Sequence, residues 1–408
     1  MDAAALNRGW APVAYESRPW TVSEGGHLSG TARRDHSGPY PAAVLPRIAG
    51  AEVNLPTRLL TQCSEAASEL ARFDEHLSGV LGGAVDGTGP LASVLLRTES
   101  ASSSQIENIT AGARKIALEA IGEHSSANAK LVAANVAATL AARDLGDGLS
   151  VETILAMHAA LLGRADPDIA GRLRETQVWI GGTAHGPHRA VFVPPHHSRI
   201  AGDLDDLIEF AGRDDLPPLV LASLVHAQFE TIHPFVDGNG RTGRAIVHAL
   251  LAGRGVTTRA VVPISAGLLV DTRAYFDALG AYRDGDAAPI VSRFAKAAID
   301  AAALGRGLVD DLARVRGEQA DQIRARRDAA VWRLNDLLVS QPVVNTGYVV
   351  ERLGVSVPTA LAAIGALEEL GSLVEATQKG RNRVWHAPAV VDVLDGFAAR
   401  IRRVQSDA

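Results

Sequence analysis

The sequence predicts a mainly α-helical protein that carries one β-hairpin in its middle third. Hydrophobic residues recur every three or four positions along most of the chain, as in the segment 57–80, which is the spacing of an amphipathic helix. An alanine-rich stretch over 127–144 also favours helix, because alanine gives up no side-chain entropy there. By contrast, residues 176–193 hold two short β-prone runs on either side of a Gly/His/Pro tip, which is typical of a hairpin.

The predicted elements begin after an irregular, proline-rich arm over residues 1–56. Helices are then predicted at 57–80, 90–97, 101–122, 127–144, 149–163, 198–211, 217–231, 240–254, 268–283 and 287–303. A long helix that is rich in arginine follows at about 306–326 and leads to a final unit. Helices therefore dominate on both sides of the hairpin.

The final unit, over about 327–408, has a different order of elements. Its predicted helices occupy 328–340, 346–353 and 357–370, and a further helix starts near 388. Two β-prone stretches joined by the turn at 379–382 lie between them. Three helices followed by a two-stranded hairpin are typical of a winged helix, and the segment with Gly354 at its turn resembles a helix-turn-helix unit.

The length agrees with this division of the chain. The 408 residues are enough for two to four domains at roughly 100–200 residues each. We predict an N-terminal arm and helical region, a helical core that contains the hairpin, a linker helix and the winged-helix unit. Their predicted limits are 1–90, 91–305, 306–326 and 327–408.

The composition is that of an ordinary soluble globular protein and excludes several classes. Hydrophobic residues make up 47% and charged residues 21%, and the net charge of −6 is too mild to indicate a general polyanion binder. No apolar run of about 18 residues occurs, so we expect no membrane span. Cys63 is the only cysteine, and the N-terminus lacks the basic and apolar parts of a secretory signal. We therefore expect a cytoplasmic protein without an internal disulfide.

One string of residues carries most of the functional information: His-Pro-Phe-Val-Asp-Gly-Asn-Gly-Arg-Thr-Gly-Arg at 233–244. Pro234 prevents the preceding helix from continuing. Gly238 and Gly240 allow left-handed conformations and let a ligand approach the backbone closely. The helix that starts here presents its first N–H groups to an anion, as phosphate-binding loops do.

The charged residues of this string also point to a phosphate ligand. Arg241 and Arg244 share one face of the first helical turn, where two cations oppose the helix dipole, so structural reasons alone would not place them there. A polyphosphate would supply the missing negative charge. Asp237 could then hold Mg²⁺ that bridges phosphate oxygens, and His233 could accept a proton from an attacking hydroxyl. A glycine turn with a buried histidine and surface arginines would explain any one of these residues, but not the whole string.

Position for position, the string matches the signature H-P-F-x-D/E-G-N-G-R-x-x-R, so this part of the chain resembles the Fic family. Fic enzymes mostly transfer AMP from ATP to a Ser, Thr or Tyr hydroxyl of a protein. The resemblance implies an all-α Fic core with a β-hairpin flap. It covers roughly residues 40–300, and a C-terminal winged helix is a familiar addition in this subclass.

The resemblance also assigns roles to single residues. It implies that His233 is the general base and that Asp237 holds Mg²⁺. It implies nucleotide binding by Gly238, Asn239, Gly240, Arg241, Thr242, Gly243 and Arg244, together with Tyr275 on an aromatic element near the adenine. Relatives that phosphorylate their targets typically carry a lysine near the second glycine. Because this chain keeps Gly-Asn-Gly-Arg intact, AMP transfer is the expected chemistry.

The hairpin resembles the family's flap, which covers the nucleotide and holds the target segment by strand addition. Residues 170–174 and 177–181 look like its lead-in, and 192–195 like its exit. The candidate flap residues are Ile180, Gly181, Gly182 and Thr183. An ordinary surface hairpin is the alternative interpretation.

A second pattern concerns regulation. The string Ser-Ser-Gln-Ile-Glu-Asn at 103–108 fits the inhibitory pattern S/T-x-x-x-E-G/N of self-inhibited Fic proteins. Ser103 and Glu107 are four residues apart, so they would share one face of the predicted helix over 101–122. The resemblance implies that Glu107, with Ser103 and Asn108 beside it, pairs with Arg244 and occupies the place of the γ-phosphate.

The expected partners are ATP and the hydroxyl of a target protein. The target could be this protein itself, and a homodimer is a further expected partner. Residues 327–408 contain nine basic and nine acidic residues, and the candidate recognition helix at 357–370 has no basic residue. We therefore favour protein interaction or homodimerisation over DNA binding for this unit. Two alternatives stay open: removal of AMP from modified proteins at the same site, and a nucleotide-sensing winged-helix regulator without useful turnover.

Overall fold

A computed structural model describes residues 10–21, 36–81, 90–123, 125–143, 148–376 and 382–407. The chain forms two compact units. The first unit comprises 1–64, 140–253 and 273–295, and the second comprises 65–139, 254–272 and 296–408. The domain limits expected from the sequence stay a prediction.

The structure is mainly helical, as predicted. In the region before the signature, the helices are α1 (Thr57–Leu81), α2 (Pro90–Ile106), α3 (Ala113–Ala120), α4 (Ala127–Arg143), α5 (Val151–Leu162), α6 (Ile200–Ala211) and α7 (Pro218–Ile232). From the signature onward they are α8 (Asn239–Gly253), α9 (Ile264–Leu269), α10 (Thr272–Arg283), α11 (Ala288–Gln322), α12 (Ala330–Ser340), α13 (Thr346–Leu353), α14 (Val357–Glu369) and α15 (Pro388–Asp407).

The N-terminal arm is more regular than predicted. Strands β1 (Ala14–Trp20) and β2 (Gly38–Val44) form an antiparallel pair in which Trp20 lies opposite Gly38. The ring of Trp20 packs edge-on against Tyr40, and Tyr40 belongs to a small buried cluster with Val193. The contact of Tyr40 with Val193 joins residues that are far apart in the sequence, so the proline-rich sequence of the arm does not indicate it.

Helix α7 forms the centre of the first unit. Every residue from Leu219 to Ile232 is buried, and α6 and α8 pack against it. Its polar Ser223 and Thr231 fit into this core because their hydroxyls donate to the carbonyls one turn earlier, at 2.6 and 2.7 Å. Since α8 also packs against α5, the loop between α7 and α8 is fixed from several sides.

The second unit contains α2 and the C-terminal elements. Helices α9 and α12 both pack against α2, and the backbone N–H of Ser265 in α9 donates to the buried Glu99 of α2 at 2.9 Å. Strands β3 (Val343–Asn345), β4 (Val374–Glu375) and β5 (Val384–His386) form an antiparallel sheet in the order β3-β5-β4. The order α12, β3, α13, α14, β4, β5, α15 agrees with the predicted positions, and its assignment as a winged helix stays a prediction.

Several predicted helix boundaries are wrong. The helix expected at 90–97 and the start of the one expected over 101–122 are a single helix, α2, which ends at Ile106, and α3 begins only at Ala113. The helix expected at 268–283 is divided between α9 and α10, whereas the helices expected at 287–303 and 306–326 are a single helix, α11. Helix α11 continues through Gly305. A side chain at this position would come within 2.9 Å of the ring of Phe73, so glycine allows the ring to pack closely against the helix.

In the part of the chain that the structure describes, no single helix is long and apolar enough to cross a membrane. Helices α13 and α14 reach that length and composition only as a pair bent by 111°.

Candidate active site

His233 ends helix α7 in a left-handed conformation. Its φ of 50° is one of the few positive values at a non-glycine residue, and its N–H donates to the carbonyl of Phe229 at 2.9 Å. This is the αL ending of a helix, which usually places glycine at this position. A side chain with a Cβ costs about 1 kcal/mol or more there, so the surroundings must hold the histidine in place.

The loop after His233 is braced from within by Asn239. Its Oδ1 accepts from the N–H of Phe235, and its Nδ2 donates to the carbonyl of the same residue, both at 2.9 Å. The side chain of Asn239 is buried, and its two hydrogen bonds to Phe235 resemble those that two paired backbone residues exchange. The structure therefore gives Asn239 a role in shaping the loop, while its predicted contact with a nucleotide stays a prediction.

A second brace, which the sequence analysis missed, comes from His158 in α5. Its Nε2 bonds the carbonyl of Asp237 and its Nδ1 accepts from the N–H of Gly171, both at 2.9 Å. Because Nδ1 accepts, the proton must be on Nε2. The ring lies flat on Phe235 with centroids 3.7 Å apart, and burial lowers the pKa of His158. It is a neutral support for the loop.

Arg174 ties the same loop to both ends of the flap. Its guanidinium donates to the carbonyls of His233 at 2.8 Å, Thr176 at 3.0 Å and Pro195 at 2.6 Å. The side chain is buried, and burial lowers the pKa of Arg174 to about 10, where it is still charged at neutral pH. The sequence analysis placed this residue in the lead-in to the flap, and nothing in the local sequence indicated these three contacts.

The environment of His233 keeps its ring neutral. Burial, with the positive charges of Arg283 and Arg174, lowers the pKa of His233 to about 3. Its Nδ1 faces the carbonyl of Glu230 at 3.4 Å, so Nδ1 carries the proton and Nε2 presents its lone pair. The side chain is still 19% exposed, which leaves the ring within reach of a substrate. His233 is thus an unprotonated acceptor at neutral pH.

Positive charge collects at the start of α8. Arg241 and Arg244 are both buried in the first two turns, and Arg241 lies 3.3 Å from a carboxylate oxygen of Asp237. The charge of Arg244 contributes to lowering the pKa of the buried His226. Gly238, with φ of 80°, lets the loop turn into the helix. The arrangement suits a bound anion.

Asp237 fits a magnesium ion that is held mainly by its substrate. Its side chain is 62% exposed, and Oδ1 also accepts from the N–H of Gly238 at 2.7 Å. Among the described residues, no group of three or more His, Cys, Asp or Glu side chains could hold a metal ion. A single exposed carboxylate is enough for Mg²⁺, which keeps waters and takes further ligands from phosphate oxygens.

The structure gives packing roles to three other predicted nucleotide-binding residues. A side chain at Gly243 would come within 3.0 Å of Phe229 and 3.1 Å of His226, so glycine lets α8 approach α7. Thr242 is fully buried beside it. Tyr275 is only 1% exposed, and its hydroxyl lies 2.7 Å from Nε2 of His226. Contacts of these residues with a nucleotide stay a prediction.

The flap is an antiparallel loop rather than two regular strands. The N–H of Ile180 donates to the carbonyl of Phe192 at 2.9 Å, and isolated antiparallel bridges pair Ile180 with Phe192 and Thr183 with Gly186. The hairpin expected from the sequence is therefore shorter than predicted. Gly181 and Gly182 explain this, because their φ values of 71° and 77° turn the chain out of the extended conformation directly after Ile180.

Side chains from distant segments hold the flap. Trp179 donates through Nε1 to the carbonyl of Thr183 at 2.8 Å and packs edge-on against Trp20 of β1. On the other side, the guanidinium of Arg283 lies over the ring of Phe192 at 3.9 Å. Arg283 thus links the flap to the surroundings of His233.

The candidate inhibitory residues lie at the end of α2 in the second unit. Ser103 is buried within the helix, whereas Glu107 is the residue that closes it. Asn108 has φ of 62°, its N–H donates to Gln105, and the N–H of Ile109 donates to Ser104. These two bonds form a Schellman ending, in which the left-handed position takes glycine or asparagine. Pairing of Glu107 with Arg244 stays a prediction.

Comparison with known proteins identifies the region around His233. Residues 148–251 match the Fic/DOC family. A protein adenylyltransferase fic-1 from Caenorhabditis elegans is 32% identical over 154 residues, which are 37% of this chain and 27% of that protein. A protein adenylyltransferase Fic from Nematostella vectensis is 31% identical over 158 residues, 38% of this chain and 34% of that protein. The chain thus spans about a third or less of the length of these relatives.

A solved structure agrees with this at the level of the fold. It is a Fic family protein from Desulfovibrio desulfuricans G20, which is 20% identical and aligns with a TM-score of 0.51. The alignment covers 84% of this chain and 98% of that protein. With the signature intact at 233–244 and its loop formed between α7 and α8, the chain carries a Fic/DOC-family domain.

Proposed function

We propose that this protein is an adenylyltransferase that moves AMP from ATP to a Ser, Thr or Tyr hydroxyl of a protein. The observation that carries the proposal is a neutral, accessible His233 held beside a helix start that contains Arg241 and Arg244. The names of the curated relatives, protein adenylyltransferase, support the same activity.

The proposed reaction is a single displacement at phosphorus. Nε2 of His233 takes the proton of the target hydroxyl as its oxygen attacks the α-phosphorus of ATP. The bond from the α-phosphorus to the oxygen that leads to the β-phosphate breaks, and pyrophosphate leaves with its electron pair. The products are the AMP ester of the protein, pyrophosphate and a proton that His233 later releases.

The phosphates would also tune the base. A pKa near 3 is low for a general base, which works best near the operating pH. The negative charge of ATP beside the ring would raise the pKa of His233, offsetting the repulsion from Arg283 and Arg174. The base would therefore be strongest once the nucleotide is bound.

Asp237 would hold Mg²⁺ together with the phosphate oxygens, and the ion would neutralise charge on the phosphates when bound. Arg241 and Arg244 and the first N–H groups of α8 would bind the rest of that charge.

We also propose that Glu107 restrains the activity. Its place at the closing turn of α2 puts it on a segment whose backbone is fixed by Asn108, while its side chain is half-buried. A carboxylate that paired with Arg244 would repel the γ-phosphate and block its productive pose. The hydroxyl type of the target and this inhibition are both part of the proposal.

The test is incubation of the protein with ATP labelled either at the α-phosphate or at the γ-phosphate. Transfer of the α-label alone supports AMP transfer, and His233→Ala should lose it while still binding ATP. His197→Ala, a histidine outside the signature, is the matched control and should label normally. Transfer of the γ-label would indicate phosphorylation, and binding without transfer would favour a nucleotide sensor. Release of AMP from pre-modified protein by the wild type would favour the reverse reaction.

A further inference from the structure

The second unit carries a large cavity that is partly open to solvent. Its volume is about 870 Å³, and it is lined by α2, α3, the start of α4, α15 and the residues Ser340 and Pro342. This volume is in the range of pockets that hold small metabolites. No residue of 233–244 lines it, so the Fic signature does not account for it.

The cavity walls combine apolar and basic groups. Val94, Ile116, Phe397 and Ile401 are buried apolar residues of the lining. The charged lining residues are three basic ones, Arg97, Lys115 and Arg402, and one acidic one, Asp395. The lining is therefore apolar with an excess of positive charge.

Asp395 does not neutralise this charge directly. Its Oδ1 accepts from the N–H of Ala113 at 3.2 Å, at the start of α3, where a carboxylate is favourable to the helix. Arg97 instead donates to the carbonyl of Ser340. In the described parts of the chain, no carboxylate forms an ion pair with Arg97 or Lys115.

Arg97 is the more unusual of the two basic residues. Burial lowers the pKa of its guanidinium, and the nearby Arg352 lowers it further. Arg97 is half-buried in the cavity wall, and a cation that is partly removed from water normally has a carboxylate partner, because desolvation makes an unpaired charge costly. An anion that entered the cavity could take that place.

We propose that this cavity binds a small organic anion with one or two negative charges and an apolar body. A carboxylate or sulfonate group would lie near Arg97 and Lys115, and the body would contact Phe397 and Ile401. A nucleoside triphosphate is a poorer fit, since its three or four negative charges would meet only three basic residues and one acidic one. The inference is independent of the proposed function, although α2 also carries Ser103 at its C-terminal end.

The test uses two fluorescent probes that differ in charge. The first is 8-anilinonaphthalene-1-sulfonate, and the second is the uncharged N-phenyl-1-naphthylamine. For the sulfonate, Arg97→Gln and Lys115→Gln should each weaken binding by about five-fold or more, and octanoate should displace it. The uncharged probe should bind both variants like the wild type.

Two further variants keep the test specific. Arg400→Gln removes a charge from the same α15 outside the cavity, where Arg400 pairs with Asp311, so it should leave sulfonate binding unchanged. Ala101→Phe should narrow the cavity and weaken binding of both probes. Because Lys115 is exposed, its variant should fold normally, as melting curves would verify. Sulfonate binding that is unaffected by Lys115→Gln and by a folded Ala101→Phe protein would overturn the inference.

Discussion

Two helix ends of this molecule use the same backbone conformation for different reasons. Helix α7 ends at His233 with φ of 50°, and α2 is followed by Asn108 with φ of 62°. Asn108 is a residue that tolerates the left-handed region, and the Schellman bonds around it are local. His233 does not favour this region, yet Arg174 from the flap region bonds its carbonyl and His158 supports the loop that follows.

The comparison shows where each geometry comes from. At Asn108 the bonds of the ending are supplied by adjacent residues, although the spacing of hydrophobic residues predicted a helix that continued past it. At His233 the fold imposes a left-handed backbone on the histidine that, in the proposed reaction, would accept the proton of the target hydroxyl. Backbone strain that is maintained by tertiary contacts is common at functional sites.

The largest effects should follow from replacing His233. We expect both His233→Gly and His233→Ala to lower α-label transfer by ~10²–10⁴-fold, since each removes the general base. The glycine variant should nevertheless be more stable than the alanine variant by about 1 kcal/mol, because only glycine accepts φ of 50° without strain. Urea unfolding compares the two. Equal stabilities would show that the backbone at 233 is not strained.

Arg174→Gln should remove the tertiary support of the same helix end. It would leave three carbonyl groups short of a donor, of which only that of Pro195 belongs to a buried residue, so the loss should be about 2 kcal/mol of unfolding free energy together with reduced labelling. Arg199→Gln is the matched control, because Arg199 pairs with Glu16 near the surface and should cost less than 1 kcal/mol. A similar loss in both variants would contradict the bracing role.

At the other helix end, Glu107→Gly should raise self-labelling by about ten-fold or more, if the glutamate restrains Arg244. Ten-fold in rate corresponds to about 1.4 kcal/mol. The double variant with Arg244→Ala should lose the gain, since the freed partner is absent. A melting curve of the Glu107→Gly protein should accompany the labelling assay to show that the variant is folded. Equal or weaker labelling by the folded variant would refute self-inhibition through this residue.

Acid should destabilise the first unit through its buried histidines. Burial lowers the pKa of His226 to about 3, below the usual 6.5. Between these values the unfolded chain binds more protons than the folded chain, so stability falls as the pH falls. For His226 alone the loss from pH 8 to pH 5 should be about 2 kcal/mol. His226→Asn and His226→Gln should both flatten the pH profile of urea unfolding, since neither variant carries the buried imidazole. Asp203, whose raised pKa of about 6 acts in the opposite direction, is unchanged in both variants.

The smallest effect should be at Asn108. Asn108→Gly should leave stability nearly unchanged, whereas Asn108→Val should cost about 1–2 kcal/mol, because a β-branched side chain is poorly tolerated at φ of 62°. Urea unfolding of the pair measures the difference. If valine were tolerated as well as glycine, the Schellman ending would not be what closes α2.

Several features were determined by the sequence alone. The signature at 233–244 indicates its own loop, because Pro234 cannot continue the preceding helix and the two glycines permit the left-handed turn that follows. The helical class and the order of the C-terminal elements follow from the spacing of hydrophobic residues, which is also a local property. These predictions depend on neighbours along the chain, and the structure agrees with them.

Only the tertiary structure decided the rest. It brings Arg174 and His158 to the loop after His233 although they are about 60 and 80 positions away along the chain. It joins two predicted helices into α11, because packing against Phe73 outweighs the helix-breaking tendency of Gly305. It also pairs β1 with β2 through contacts of Tyr40 with Val193. In each case the deciding energy comes from a residue distant in sequence, which local propensity does not contain.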